Sequence, residues 1–495
     1  MVWQDFREFV GEIERRGNSR VVEGADCELE IGALTELMCE RKGPMLIFDS
    51  IKGYPQGYRI VAKPYSTPLR SAIGLGLPED VSPFEMFKAW RERMRNFTPV
   101  SPVELPTGPV MENVLEGDQV DLTRFPVPRW HERDGGPYFG TGCAVITRDP
   151  DEGWVNLGTY RCMLHDRTTT AVDIAPYHHG NMHMRRWWAS GKPAPVAVAI
   201  SLDPYLFLAA AEGLPWGTNE YEFAGYVRGE PEEYVTGPRT GLPLPARAEL
   251  IIEGEVPSPE EEQRIEGPFG EYTGYYAGGE KLRPVLRVKA LYHRTNPLLH
   301  GDPPLKPPVL TIACPPARSI LSVWDGLEKS GMAGIKGVYS LNTGGEFITV
   351  VSIKQQYAGH ARQVGRVASG LIHSMGRLII VVDEDIDPSN IEEVMWAVAT
   401  RSDPATSFEI QPECPASTLD PRVPPEMKKR GHTFNSRALI IACRPWEWRD
   451  EYPPVNRNSD ELRQRTYDKW RSLFEDAAHS AAADRQPALA GSTAG

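Results

Sequence analysis

The chain of 495 residues has no CxxC pair, no block of basic residues, no long apolar run and no glycine-rich phosphate turn. Each absence removes a class of function. Its seven cysteines (Cys27, Cys39, Cys143, Cys162, Cys314, Cys414 and Cys443) are scattered and odd in number. That pattern reads as reduced thiols in the cytoplasm and lacks the ligand spacing of a zinc site. The net charge is -13, and the nearest approach to a basic cluster is Met427-Lys428-Lys429-Arg430, read as a solvated loop. Nucleic-acid binding is therefore not expected. No segment approaches the roughly 20 apolar residues that span a bilayer. The opening Met1-Val2-Trp3-Gln4-Asp5-Phe6 lacks the basic and apolar regions of a signal peptide. No clear GxGxxG stands at a strand–helix junction.

What is present divides along the chain. At this length two or three domains are expected. Trp3, Phe6, Phe9, Val10 and Ile13 recur at helical spacing over residues 2–16, and Gly17-Asn18 stops the helix. Pro44 to Phe48 reads as a buried strand, and Ser82 to Arg95 as a helix starting near Asp80 or Ser82. Pro99, Pro102, Pro106 and Pro109 then mark a boundary, since proline suits neither helix interior nor central strand. Residues 110–300 carry short strands at 144–147, 155–161, 195–200, 249–252 and 285–292, with a helix near 184–189; this suggests a barrel or sandwich. Beyond 310, strands at 347–353 and 378–382 alternate with helices at 360–374 and 390–400, the second capped by Ser389, in an α/β pattern. Ser459 to Ala483 reads as a terminal helix, followed by a frayed tail.

Two segments carry chemistry. In Glu266-Gly267-Pro268-Phe269-Gly270-Glu271, two carboxylates flank a constrained turn. Held against one cavity, such acids repel, and one keeps a proton near neutral pH, as a general acid must. In Asn156-Leu157-Gly158-Thr159-Tyr160-Arg161, strand alternation puts Asn156, Gly158 and Tyr160 on one face, with Arg161 opposite unless the strand bends or ends. Gly158 leaves room for a flat ring, and Arg161 could pair bidentately with a carboxylate. Tyr177-His178-His179-Gly180 and Asn219-Glu220-Tyr221-Glu222 add imidazoles and carboxylates. An amide oxygen, an imidazole and a carboxylate together suit a hard divalent ion such as Mn or Mg. Met182, His183, Trp187 and Trp188 are further pocket candidates, with core packing the expectation for both tryptophans.

These segments, with Arg228-Gly229-Glu230-Pro231, Asp385-Ile386-Asp387-Pro388 and Ser436 to Cys443, resemble the UbiD-like decarboxylase family over nearly the whole chain. The resemblance implies an α+β / α/β multidomain fold: an N-terminal α/β domain at 1–109, a central flavin-binding split β-barrel at 110–305, a C-terminal α/β oligomerisation domain at 306–455, and a terminal helix and tail at 456–495. It implies prenylated FMN, supplied by a separate flavin prenyltransferase, with its phosphate on Mn (or Mg) held by Asn156, His179 and Glu220, and a nearby K ion. His178 is the alternative imidazole and Glu222 the alternative carboxylate. Leu157, Gly158, Thr159, Tyr160 and Arg161 would line the cofactor, and Arg377 is matched to a basic residue near the phosphate. Arg161, Glu266 and Glu271 would form the catalytic network: Arg161 orients the substrate carboxylate, Glu266 holds Arg161, and Glu271 delivers the proton that replaces CO2.

The implied reaction is reversible, non-oxidative decarboxylation of an aromatic, heteroaromatic or α,β-unsaturated acid through a covalent flavin adduct. A homodimer, or a hexamer built from dimers, is the implied assembly. Two other readings are an inactive flavin- and metal-binding subunit of a larger complex, which the intact Arg161, Glu266 and Glu271 set opposes, and a split-barrel flavin reductase consuming NAD(P)H.

Overall fold

The structure, a computed structural model, describes residues 2–139, 142–309, 312 and 318–473. Residues 1–443 form one compact unit and 444–495 a second. The first helix, Phe6–Arg15, starts where the Asp5 carboxylate accepts the Glu8 N–H and buries Phe6, Phe9, Val10 and Ile13. Helix Pro83–Arg95 follows the same logic, with Ser82 as its cap and Pro83 in its first turn. The N-terminal sheet orders Ser19–Glu23, Met45–Asp49, Arg59–Ala62 and Leu298–Gly301. Its fourth strand thus comes from far downstream, pairing parallel to Arg59–Ala62.

A nine-stranded sheet occupies the middle of the molecule, with every pairing antiparallel. Its order is Val155–Gly158, Cys143–Arg148, Ala194–Ile200, Leu250–Val256, Lys281–His293, Thr169–Ala171 and Leu164–Asp166. Gln263–Glu266 and Asn113–Glu116 also pair with the long strand Lys281–His293. Among the described residues the pairing path does not close into a barrel. Both faces are buried, in alternation: Ala144, Ile146, Ala197, Ala199 and Ile251 enter one apolar cluster, while Cys143, Val145, Val196, Val198 and Ile252 enter another. A small sheet of Pro243–Pro245, Glu233–Thr236 and Val103–Glu104 engages the proline-rich passage.

The later sheet orders Ile335–Ser340, Ile348–Ile353, Leu378–Asp383, Phe434–Ala442 and Phe408–Pro415, crossed by helix His360–Leu371. A Cβ on Gly365 would stand 2.2 Å from Leu439, so glycine lets that helix approach the sheet. The next helix, Ile391–Arg401, is capped by Asn390, not Ser389; Ser389 is engaged by the Asp387 carboxylate in the preceding turn. The architecture is therefore mixed α/β in several layers. In the second unit, a helix spans Asp460–Lys469; the rest of the expected terminal helix, past residue 473, lies outside the described residues, as does Cys314. No helix among the described residues is long and apolar enough to cross a membrane.

Candidate active site

The strand Val155–Gly158 ends before Arg161, so the guanidinium escapes strand alternation. The loop that carries it is pinned by backbone bonds: Thr159 N–H donates to Ala210 O at 3.1 Å, and Asp173 N–H to Arg161 O at 3.2 Å. Its partner arrives from strand Gln263–Glu266, whose last residue is Glu266. Gly267 then adopts φ +84°, a conformation that suits glycine. Phe269 is buried against Tyr138, ring centroids 4.0 Å apart, and the turn returns Glu271 toward Glu266. The turn fits closely against Gly135, where a Cβ would stand 2.0 Å from Gly267 O.

The structure brings the three expected catalytic residues together. Arg161 Nε donates to Glu266 Oε1 at 2.9 Å, and Nη2 to Glu266 Oε2 at 2.9 Å, a bidentate pair. Arg161 Nη1 donates to Glu271 Oε1 at 2.8 Å. Glu266 is fully buried and also accepts the Tyr138 hydroxyl at 2.9 Å. Two further residues join that the sequence did not single out. Asp173 Oδ2 lies 2.8 Å from Arg161 Nη2, and Arg283 Nε lies 2.5 Å from Asp173 Oδ1.

Electrostatics follow from this crowding. Burial works against the Arg161 charge, but the Glu266 hydrogen bonds and the charges of Asp173, Glu266 and Glu271 outweigh it and raise its pKa. Glu271 moves upward as well: burial raises it, Arg161 pulls it back, and the charges of Asp173 and Glu266 push it up. Burial and the neighbouring Glu266 also raise Tyr138, which stays a hydroxyl donor. The arrangement therefore offers a fixed cation beside a carboxyl group with an enhanced hold on its proton.

A second cluster lies at the start of the same segment. Asn156 is buried, and its Nδ2 has no hydrogen-bond partner among the described residues. The Glu220 carboxylate, buried at the N-terminus of helix Glu220–Arg228, accepts the Leu157 N–H at 3.0 Å. Burial pushes Glu220 up to about 8. His179 opens helix His179–Ala189, with its ring 5.1 Å from Trp154 and 5.3 Å from Trp216. Burial lowers its pKa, so its ring is neutral and able to ligate. His178 is exposed, its ring against Tyr160 and Tyr177. Glu222 is half-buried. Among the described residues no three His, Cys, Asp or Glu side chains gather as metal ligands. An amide oxygen, one imidazole and one carboxylate are nonetheless the mixed set a divalent ion takes, and the buried Glu220 carboxylate, which meets no cation among the described residues, fits such an ion.

Other expected residues have different surroundings. The space beside Gly158 is taken by the ring of Tyr160, whose atoms stand 2.4–2.5 Å from where a Cβ would be; burial raises the Tyr160 phenol to about 12. Leu157 is buried, and Thr159 half-buried. Arg377 pairs with Asp420 and lies over the Phe347 ring at 5.3 Å, and none of its contacts among the described residues reaches Asn156 or Glu220. Trp187 and Trp188 bond to Arg148 O and Val256 O, and His183 to Thr147, so they brace the sheet; Met182 is exposed.

Comparison with known proteins supplies the frame for this geometry. Three family models match in succession: 3-octaprenyl-4-hydroxybenzoate carboxy-lyase N-terminal domain over residues 10–90, Rift-related domain over 102–307 and C-terminal domain over 313–442. A pyrrole-2-carboxylic acid decarboxylase of Pseudomonas aeruginosa is 33% identical over 464 residues, covering 89% of this chain and 90% of the relative. Vanillic acid decarboxylase of Sedimentibacter hydroxybenzoicus, in its open form, superposes with TM-score 0.83 at 27% identity, covering 96% of this chain and 100% of the other. An evolved dimeric form of the UbiD-class enzyme HmfF from Pelotomaculum thermopropionicum, in complex with prFMN, gives TM-score 0.77 at 25% identity over 93% and 98% of the two chains.

Proposed function

Because the chain belongs to the UbiD family and is a carboxy-lyase, we propose that it removes CO2 reversibly from an aromatic, heteroaromatic or α,β-unsaturated acid with prenylated FMN as cofactor. The observation that carries this reading is the guanidinium of Arg161 held bidentately by Glu266 and, on its other edge, by Glu271. Prenylated FMN, when bound, supplies an electron sink for the charge left on an unsaturated carbon as CO2 departs.

The protein's own residues do the rest. Glu271 yields Arg161 Nη1 to the substrate carboxylate, which that N–H orients, while Glu266 fixes the opposite edge of the guanidinium. Tyr138 holds Glu266 from behind. Glu271, its proton retained by burial and by the neighbouring carboxylates, protonates the carbon that loses CO2. The buried Phe269 and Tyr138 rings keep water from the pair. Asn156, His179 and Glu220 would hold a divalent ion, Mn or Mg, at the cofactor phosphate, with a K ion nearby; the exposure of His178 supports His179 as the imidazole ligand. The nine-stranded sheet is read as the flavin-binding split barrel of a central domain at 110–305, between domains at 1–109 and 306–455, with a helix and tail at 456–495. A flavin prenyltransferase supplies the cofactor, and the working assembly is a homodimer or a hexamer built from three dimers.

The test is co-production with a flavin prenyltransferase, a flavin absorption spectrum, and a screen of aromatic, heteroaromatic and acrylic acids for CO2 release. Release that depends on the prenylated flavin is expected. Activity with unmodified flavin, or flavin oxidation at the expense of NAD(P)H, would overturn the reading.

A further inference from the structure

The Arg161 network contains one carboxylate more than the proposed reaction has used. Of the guanidinium's donors, Nε and one Nη2 hydrogen engage Glu266, and Nη1 engages Glu271. Asp173 Oδ2 pairs with the same Nη2 as an ion pair at 2.8 Å. Asp173 is held from its other oxygen by Arg283 at 2.5 Å, and its side chain is only 15% exposed. Arg283 stands on strand Lys281–His293, directly opposite Arg264 on the strand that ends in Glu266. Asp173 is therefore built into the site from two sides and is no incidental surface ion pair.

Resting on the decarboxylase reading above, we propose that Asp173 is a positioning residue for the reaction: braced by Arg283, it holds the Nη2 edge of Arg161 so that Nη1 alone is left to donate to substrate, and its charge sets the pH at which Glu271 gives up its proton.

The charge count makes this consequential. Arg161 and Arg283 bring two positive charges; Glu266, Glu271 and Asp173 bring three carboxyl groups. With all three ionised the cluster carries a surplus negative charge, and one proton balances it. Glu271 is the group that burial together with Asp173 and Glu266 pushes upward against Arg161. Tyr177 and Tyr272 also lie near Glu271, and both phenols are raised, first by burial, so they stay neutral while it titrates. Removing the Asp173 charge therefore lowers the proton affinity of Glu271. Removing the Arg283 charge leaves Asp173 unbalanced and raises it. A residue that served packing alone would not move the two variants in opposite directions.

The experiment is the pH dependence of kcat for CO2 release by the full-length, flavin-loaded enzyme, in wild type, Asp173→Asn and Arg283→Gln. Activity falls as pH rises through the Glu271 pKa. That limb is expected to move down by about 1 unit in Asp173→Asn, the scale of one nearby charge. In Arg283→Gln it is expected to move up, and in Asp173→Glu to stay near the wild-type position. A second readout needs no turnover: 13C-carboxyl NMR of glutamate-labelled protein without cofactor, with the Glu271 signal assigned by its loss in Glu271→Gln. Its midpoint is expected to move in the same two directions. Unmoved limbs and midpoints in both variants overturn the role of Asp173 while leaving the decarboxylase reading intact. Absence of CO2 release from every acid by wild type overturns that reading instead, and the NMR midpoints then decide the Asp173 inference alone.

Discussion

Replacing Glu266 with Gln tests the geometry most directly. The carboxylate is fully buried and accepts three donors, Arg161 Nε, Arg161 Nη2 and the Tyr138 hydroxyl, each at 2.9 Å. Glutamine keeps the shape but supplies one acceptor oxygen and one NH2. One of the two guanidinium bonds is then lost, and a donor faces a donor in its place. Hydrogen bonds to charged groups contribute roughly 1.5–3 kcal/mol each, so the hold on Arg161 weakens by about 3 kcal/mol. Asp173 and Glu271 still grip the guanidinium, so the chain folds. If transition-state placement of Arg161 carries that loss, kcat falls about 100-fold, at tenfold per 1.4 kcal/mol. Asn156 and Glu220 are untouched, so flavin occupancy stays at the wild-type level. The assay is steady-state CO2 release with flavin absorbance measured on the same preparation. A kcat within about threefold of wild type at equal occupancy would refute the argument that Glu266 holds Arg161 for catalysis.

Other outcomes follow from the same structure. Glu271→Gln is expected to bind cofactor normally while turnover falls by at least about 100-fold, within the usual contribution of a general acid; full activity in single-turnover assays would remove its acid role. Asn156→Ala and Glu220→Ala are each expected to lose metal and flavin together, read by elemental analysis and flavin absorbance; unchanged occupancy would contradict the ligand assignment. Gly135→Ala forces a Cβ to within 2.0 Å of Gly267 O and must displace the acid turn, so activity is expected to collapse with the circular dichroism spectrum intact. His300, buried among Phe6, Tyr65 and Phe207, is lowered by burial to about 4. A folded pKa below the unfolded 6.5 contributes stability that is present above pH 6.5 and lost as pH falls toward 4, roughly 3 kcal/mol in all. His300→Asn should flatten the fall of the thermal midpoint across that window, and an unchanged slope would exclude His300 as its source.

The acid turn was legible in the sequence because it is local: Glu266, two glycines, a proline and Glu271 lie within six positions and constrain one another. The same holds for helix Pro83–Arg95, whose cap and first-turn proline are adjacent. Asp173, Tyr138 and Arg283 left no such trace. Tyr138 meets Glu266 across 128 positions, and only the folded sheet brings them together. Asp173 follows the short strand Thr169–Ala171 with no motif around it. Helix Pro204–Ala211 was missed for another reason: Pro204 to Ala210 are all buried and the helix carries no charged residue, so it has no polar face and no readable period. Ser389 and Asn390 are both good caps, and the choice between them was made by the Asp387 turn, a contact that local preference does not encode. Gly158 was read as room for a ligand, whereas Tyr160, two positions on, fills the space itself.

The N-terminal sheet recruits its last strand, Leu298–Gly301, from 236 residues beyond the end of its neighbour Arg59–Ala62. On the ribosome, the first hundred residues emerge with an open sheet edge beside Arg59–Ala62 and wait for most of the central segment to be synthesised before that edge is covered. Strand Arg59–Ala62 is thus made well before its partner, and a chain that stalls before residue 298 leaves the exit tunnel with that edge uncovered.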